Sequence, residues 1–126
     1  MGGYENINSP TPTFNNEFLY HINLKPECEF YYTKPANYEL GIFVAKGSLS
    51  LNSMQLDESN LVVNKVYEQT YHLKNNTDRE IHVMLFGGLP YTDKFYAQGP
   101  FVMENAKDIQ VAYNDFYNNK YGNINY

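Results

Sequence analysis

Short runs in which apolar and polar residues alternate occupy most of the chain, and they constrain its fold more than any other feature. A repeat of two residues places every second side chain on the same face of a strand. The clearest run puts four apolar side chains on one face: Phe18, Tyr20, Ile22 and Leu24. Similar runs cover residues 28–33, 38–45, 48–51, 56–63, 66–74 and 80–86. Short strands spaced about 8–12 residues apart are typical of an all-β sandwich or barrel.

Residues that favour turns separate the runs. We predict that the whole sequence, residues 1–126, forms one domain. Residues 34–37 (Lys-Pro-Ala-Asn) are an example, because Pro and Asn favour turns. Residues 1–12 are rich in Gly, Asn and Pro and predict an extended lead-in. Barrel strands are predicted over residues 13–87. Residues 88–103 are predicted to form an apolar loop that lies against another part of the domain.

One amphipathic helix is predicted over residues 105–121. Asn105 is a good N-cap, and Asp108 stands at the third position of a weak capping box. Apolar side chains recur three and four residues apart and form one stripe: Ile109, Ala112, Tyr113, Phe116 and Tyr117. Gly122 is positioned to end the helix. The expected architecture is a β-barrel core with a loop and one C-terminal helix.

Composition and charge exclude several classes of protein. Aromatic residues make up 17% of the 126 residues, with 13 Tyr, 8 Phe and no Trp, and this bias favours strands. A net charge of −5 argues against a nucleic-acid binder or an anchor on an anionic membrane. No apolar run approaches the length of a membrane span, and no secretory signal is recognisable, so we expect a cytoplasmic protein. The single cysteine, Cys28, cannot form an internal disulfide.

Three histidines are the imidazole ligands that a metal site could use. A reactive metal in a β-barrel needs about three nitrogen or carboxylate ligands. His72 and Asn76 match the His-x-x-x-Asn end of a metal motif of such barrels, but the residues flanking His72 hold the apolar face and turn it outward. His21 lies opposite the richer apolar face of its strand, and the direction of His82 stays open. We predict no metal site, with His72 and His82 as weak candidates.

No arrangement for catalysis or cofactor binding is recognisable in the sequence. Cys28 lies in an alternating run and is predicted to be a structural thiol. Three glutamates could act as a base, but the sequence gives them no acid partner: Glu27, Glu29 and Glu39. Nucleophile-elbow, P-loop and dinucleotide fingerprints are absent. We therefore predict no catalytic residue and no cofactor. The aromatic excess leaves open a pocket for a planar ligand.

The C-terminal third carries a set of motifs in a specific order. Gly87-Gly88-Leu89-Pro90 is followed by Gly99-Pro100-Phe101-Val102-Met103 and then by Lys120-Tyr121-Gly122. This order and spacing resemble the C-terminal cupin domain of the pirin family. The resemblance implies a cupin-type (RmlC-like) double-stranded β-helix, a jelly-roll barrel with one C-terminal helix. The chain departs from the family pattern at three positions: Leu89, Lys94 and Glu104.

The motif at residues 99–103 has a structural explanation. Gly99 permits a tight turn and Pro100 fixes the backbone angle φ. Phe101, Val102 and Met103 supply apolar contacts that we expect to tie the tail to the barrel. These five residues are therefore predicted to be structural rather than catalytic.

The resemblance also bears on function. Full pirins resemble two cupins in tandem, with an iron-type site of three His and one Glu in the N-terminal half, and this sequence has no counterpart of that set. We predict a non-enzymatic, metal-free cupin module that packs with a partner cupin or with a copy of itself. One alternative is a quercetin-dioxygenase-like metal enzyme that uses His72 or His82. The other is a metal-free binder of a small aromatic ligand.

Overall fold

A computed structural model describes residues 1–64 and 70–123. The chain divides into two compact units, Met1–Pro90 and a second unit from Tyr91 onward. The described residues contain twelve strands and one helix. These are β1 Gly3–Tyr4, β2 Ile7–Asn8, β3 Phe18–Leu24, β4 Glu29–Thr33, β5 Glu39–Lys46, β6 Leu49–Leu51, β7 Met54–Leu56, β8 Leu61–Asn64, β9 Thr70–Lys74, β10 Ile81–Gly88, β11 Tyr96–Gln98, β12 Phe101–Met103 and α1 Ala106–Tyr117. The all-β expectation with one C-terminal helix is confirmed.

The first unit is built from two antiparallel four-stranded sheets. The first sheet has the strand order β3-β10-β5-β8, and the second has the order β4-β9-β6-β7. Buried side chains from both sheets form one hydrophobic cluster that includes Phe18, Leu40, Leu49, Leu73 and Val83. The alternation in β3 is observed as predicted, because Phe18 and Leu24 are buried while His21 and Asn23 between them are exposed. The sheets therefore stack as a sandwich around the core.

The run predicted over residues 56–63 is interrupted in the structure. Strand β7 ends at Leu56, and β8 begins at Leu61. The intervening turn is held by the backbone N–H of Asn60, which donates to the Asp57 carbonyl at 3.0 Å, while Asn60 Oδ1 accepts from the Asp57 N–H at 3.3 Å. Side-chain capping by Asn thus breaks the strand. Of the run predicted over residues 66–74, residues 66–69 lie outside the described residues.

The predicted lead-in at residues 1–12 contains a β-hairpin rather than only extended chain. Gly3 pairs with Asn8 and Tyr4 with Ile7, and Glu5 in the turn has φ of 49°. The N–H of Ser9 donates to the Gly2 carbonyl at 3.0 Å and lengthens the pairing. Tyr4 packs against the hydrophobic core of the first unit, whereas Ile7 is exposed, so one aromatic side chain anchors this hairpin.

The second unit contains a hairpin within the segment predicted as a loop, residues 88–103. Strands β11 and β12 pair across a turn at Gly99-Pro100, in which Gly99 has φ of +56°. A Cβ at Gly99 would lie 2.5 Å from the Tyr113 hydroxyl oxygen. The ring of Phe101 packs edge-on against Tyr113, with centroids 5.0 Å apart. Gly99 therefore has the turn role predicted for it, and contact of residues 101–103 with the barrel stays a prediction.

The helix begins as predicted and ends earlier. Asn105 accepts from the Asp108 N–H at 2.9 Å, which confirms the N-cap. The helix ends at Tyr117 rather than near residue 121, because Asn119 adopts the left-handed conformation with φ of 57° and donates its N–H to the Phe116 carbonyl. Within residues 1–64 and 70–123, no helix is long and apolar enough to cross a membrane.

Candidate functional site

All three histidines lie on outer faces of the two sheets. His72 alternates with the buried Tyr71 and Leu73, so its predicted outward direction is confirmed. His21 is exposed, and His82, whose direction the sequence left open, lies outside as well. The described residues contain no group of three or more His, Cys, Asp and Glu that could hold a metal ion. The donor set on this part of the chain does not fit the iron-type site of pirins, and no metal chemistry follows from it.

His72 belongs to a cluster of polar side chains on the second sheet. Its Nε2 lies 3.0 Å from Glu29 Oε2, and its ring stacks on Tyr31 with centroids 4.4 Å apart. Lys74 Nζ contacts the other oxygen of Glu29 at 3.2 Å, and the Tyr31 hydroxyl donates to Glu29 at 3.1 Å. The hydrogen bond from Lys74, followed by those from Tyr31 and His72, lowers the pKa of Glu29. The cluster is a surface ion-pair network across β4 and β9.

The lowered pKa of Glu29 predicts an acid-dependent loss of stability. The ionised carboxylate stabilises the folded state above the carboxyl's unfolded pKa, and this contribution is lost as pH falls through the lower folded pKa. We expect Glu29→Gln to remove that part of the pH dependence, and the effect is small because the group is exposed. Urea unfolding at acidic and neutral pH measures it, with Glu27→Gln as the matched control. Equal pH profiles for wild type and Glu29→Gln would contradict the prediction.

His21 and His82 form a hydrogen-bonded pair on the outer side of the first sheet. His21 Nε2 lies 3.0 Å from His82 Nδ1, and the ring centroids are 5.2 Å apart. The other nitrogen of His82, Nε2, lies 3.5 Å from Glu80 Oε1. Pairing of β3 with β10 aligns His21 with Met84 and so places His82 diagonally beside it. The two histidines are 61 positions apart, so the sequence alone gave no signal for their contact.

Around this pair, the outer side of the first sheet is apolar. Two rows of residues cross the four strands in register: Leu19, Phe86, Gly41 and Val63 in one row, and His21, Met84, Phe43 and Leu61 in the other. We call these eight residues the outer patch. Leu61 is 53% exposed and Val63 is 57% exposed, and Leu19 and Phe86 are 40% and 37% exposed. The sheet is thus apolar on the core side and on the solvent side.

The ring of Phe86 occupies the space above Gly41 on the neighbouring strand. A Cβ at Gly41 would stand 2.5 Å from two ring carbons of Phe86, so a side chain there would displace the ring. Gly41 and Phe86 are cross-strand partners on β5 and β10. The absence of a side chain at position 41 therefore makes room for this ring at the centre of the outer patch.

Between the sheets, tyrosine and phenylalanine side chains cluster toward the β3 and β4 edges. Phe18 stacks on Tyr20 at 4.8 Å, and Tyr20 meets Tyr32 edge-on at 6.1 Å. Burial raises the pKa of both tyrosine hydroxyls, Tyr20 and Tyr32, and neighbouring tyrosines raise it further. These hydroxyls are therefore neutral at physiological pH. This region provides aromatic surface rather than an ionised base.

The stacked antiparallel sheets, with their shared core and C-terminal helix, define a cupin-type domain. The sequence model described as "Pirin C-terminal cupin domain" matches residues 19–122, and the chain belongs to this family. The resemblance seen in the sequence motifs is confirmed.

Two curated relatives and one solved structure match nearly all of this chain over less than half of their own length. This chain is 27% identical over 120 residues to Pirin-1 of Arabidopsis thaliana. The match covers 92% of this chain and 42% of Pirin-1. The chain is 22% identical over 120 residues to a putative quercetin 2,3-dioxygenase of Pseudomonas aeruginosa, covering 95% and 41%. A crystal structure of quercetin 2,3-dioxygenase from Acinetobacter baumannii superimposes with a TM-score of 0.82 at 22% identity, covering 98% of this chain and 43% of that one. The chain spans less than half the length of the curated relatives it matches.

Proposed function

We propose that the chain is a non-catalytic cupin module that docks through its outer patch onto a second cupin domain. The observation that carries this proposal is the apolar outer side of the first sheet. An antiparallel sheet with one face in water normally alternates apolar and polar residues, so that its solvent face is polar. Here Leu61 and Val63 on β8 are more than half exposed. A contiguous apolar surface of this kind marks an interaction site.

The lengths of the relatives support a cupin domain as the partner. Pirin-1 and the Pseudomonas protein are each more than twice as long as this chain. The resemblance to pirins implies that their remaining part contains another cupin. A second sandwich with an apolar sheet face would match the exposed apolar side chains of the outer patch, since sheets pack face to face through interdigitating side chains.

The chemistry of the described side chains supports a non-catalytic role. His21, His72 and His82 all lie outside the sandwich, where they cannot converge on an ion in its interior. The hydroxyls of Tyr20 and Tyr32 are neutral, and the two rings pack against each other. The likeness to quercetin 2,3-dioxygenase at 22% identity concerns the fold. A metal-dependent dioxygenase would need ligands that residues 1–64 and 70–123 do not bring together.

Docking through the outer patch predicts that charges on β8 weaken association. We expect the wild-type chain to form a complex with the N-terminal cupin half of a pirin-family relative, or a dimer, in light scattering coupled to size exclusion. The double variant Leu61→Glu and Val63→Glu should weaken association by at least about tenfold, because two charges would be buried unpaired. Met54→Glu on the second sheet is the matched control, since Met54 is 50% exposed but lies outside the patch.

Thermal unfolding of both variants establishes that they are folded. A chain that stays monomeric at every concentration and ignores the cupin half would overturn the proposal. So would an equal loss of association in the Met54→Glu control.

A further inference from the structure

Strand β3 forms one edge of the first sheet, where the strand order β3-β10-β5-β8 places it next to β10 alone. At seven residues, β3 is the longest edge strand among the described residues of the two sheets. It pairs with β10 at every residue of Phe18–Leu24 without a shift in register, and this segment contains neither proline nor lysine. Proline, lysine and bulges normally prevent a sheet edge from pairing with another chain. The edge at β3 lacks all three.

The chain itself shows that this edge accepts a strand residue. The Leu19 N–H donates to the Met1 carbonyl at 3.0 Å, and the Met1 amino group donates to the Leu19 carbonyl at 3.2 Å, as in an antiparallel pair. Backbone groups alternate in direction along a strand, so those of His21 and Asn23 also point away from β10. Within residues 1–64 and 70–123, no backbone hydrogen bond reaches them. The N–H and C=O groups of both residues are therefore available to a further strand.

A cavity of about 360 Å³ runs along the same edge. Its lining includes four consecutive residues of β3, 19–22, together with Met1 and, from β4, Phe30. Consecutive residues of a strand face opposite sides of a sheet, so a cavity that all four line lies at the edge of the strand, next to its backbone. We call this cavity the edge slot. On the core side, Ile22, Tyr4 and Phe30 give the edge slot an apolar wall.

From these observations we propose that β3 takes up an extended peptide segment of a partner protein as a fifth strand of the first sheet. The segment runs antiparallel to β3, as Met1 does, and its backbone bonds to the N–H and C=O groups of His21 and Asn23. Residues opposite each other in an antiparallel pair lie on the same face, so the partner residue opposite Ile22 enters the apolar side of the edge slot. The occupant is therefore a segment without proline that carries an apolar residue at every second position.

This inference does not rest on the proposed docking function. That function uses side chains on the outer face, and its test places charges on β8, at the opposite edge of the sheet. The double variant Leu61→Glu and Val63→Glu should therefore leave peptide binding by β3 unchanged, whether or not it weakens association between domains. A loss of peptide binding in this variant would place the peptide on the outer patch and overturn the inference.

Two N-methylated peptides test the backbone pairing, each serving as the control for the other. The probe is a short acetylated and amidated peptide of alternating threonine and valine. With its valines on the core side, its threonines lie opposite His21 and Asn23, so the threonine N–H groups donate to β3 and the valine N–H groups point away. N-methylation of the threonines should weaken binding by at least about tenfold, because these donors are lost, whereas N-methylation of the valines should leave binding unchanged. NMR titration of the full chain measures both affinities, and slower exchange of the His21 and Asn23 amides locates the added strand.

The variant Asn23→Pro tests the same contact from the side of the protein. Proline removes the N–H that faces the open edge, and no bond to β10 is lost, because that N–H points away from β10. We expect the unmethylated peptide to bind at least about tenfold more weakly, whereas Asn23→Thr keeps the backbone donor and should bind it as the wild type does. Thermal unfolding establishes that both variants fold. If Asn23→Pro does not fold, the two methylated peptides still test the proposal on the wild-type chain.

The absence of saturable binding of the unmethylated peptide at millimolar concentration would overturn the proposal. Equal affinities for the two methylated peptides, or full binding by a folded Asn23→Pro variant, would overturn it as well. A dimer of the wild-type chain that excludes the peptide and dissociates in Asn23→Pro would assign this edge to a second copy of the chain instead of a partner peptide.

Discussion

Replacing Asn75 by alanine is expected to lower the free energy of unfolding by about 3 kcal/mol. Asn75 is 0% exposed, and its side chain makes four hydrogen bonds. Its Nδ2 donates to the carbonyls of Leu24 at 2.9 Å and Arg79 at 2.7 Å. Its Oδ1 accepts from the Thr77 N–H at 2.9 Å and from the Thr77 hydroxyl at 2.7 Å. One buried amide therefore joins the end of β3 to the turn that leads into β10.

The large effect of Asn75→Ala follows from the buried polar groups that lose their hydrogen-bond partner. Alanine at position 75 removes both donors and the acceptor, and the carbonyl of Leu24 loses this partner in a buried position. Each buried polar group without a partner costs about 1–3 kcal/mol, more than the bond itself contributes when it is made. The same turn carries Glu80 and precedes His82, so loosening it also disturbs the histidine pair.

Urea unfolding measures this prediction, and the neighbouring Asn76 provides its control. Asn76 is exposed, so Asn76→Ala should change the stability by no more than about 0.5 kcal/mol. Similar losses in the two variants would show that the buried hydrogen bonds of Asn75 do not carry the effect.

The second large effect is expected for Gly87→Ala, again with a loss of about 3 kcal/mol. A Cβ at Gly87 would lie 2.0 Å from the carbonyl oxygen of Glu39, which is backbone and cannot rotate away. Gly87 pairs with Leu40 on β5 and with Phe18 on β3, so strand β10 is fixed on both sides at this point. The added methyl group must push neighbouring strands apart.

Gly88→Ala at the next position is the matched control. Its nearest contact would be 3.1 Å, to Glu17 Cα, and we expect the smaller cost of about 1 kcal/mol. Chemical denaturation of both variants compares the costs directly. A Gly87→Ala variant no less stable than Gly88→Ala would contradict the close approach described for β10.

The sequence predicts those features of the fold that depend on neighbouring residues, and it does not predict those that depend on contacts between distant residues. The alternation in Phe18–Leu24 and the cap at Asn105 depend on neighbouring residues, and both were predicted. The alternating run predicted over residues 80–86 stops before two glycines, which are rare in strands, but β10 continues through Gly87 and Gly88. The sequence shows both glycines, but it cannot show that the backbone of Glu39 lies close to Gly87.

The outer patch was visible in the sequence in part. Ile81, Val83 and Leu85 hold one face of β10, while Met84 and Phe86 hold the other, and this double apolar character left the direction of His82 open. That ambiguity is itself the signal of a strand with two apolar faces. The contact between His21 and His82 could not be predicted, because it depends on the register of β3 with β10. The packing of Tyr4 against Tyr20 and Phe30 could not be predicted either, because it joins residues that are far apart in the sequence.

The ring of Phe86 lies over Gly41, so two positions far apart in the sequence share one steric constraint. Any side chain at position 41 needs the volume that the ring already occupies. The position of the ring is consequently set by a residue that is buried beneath it. A substitution at Gly41 would displace the ring and raise a ridge across the centre of the face, although Phe86 itself is unchanged.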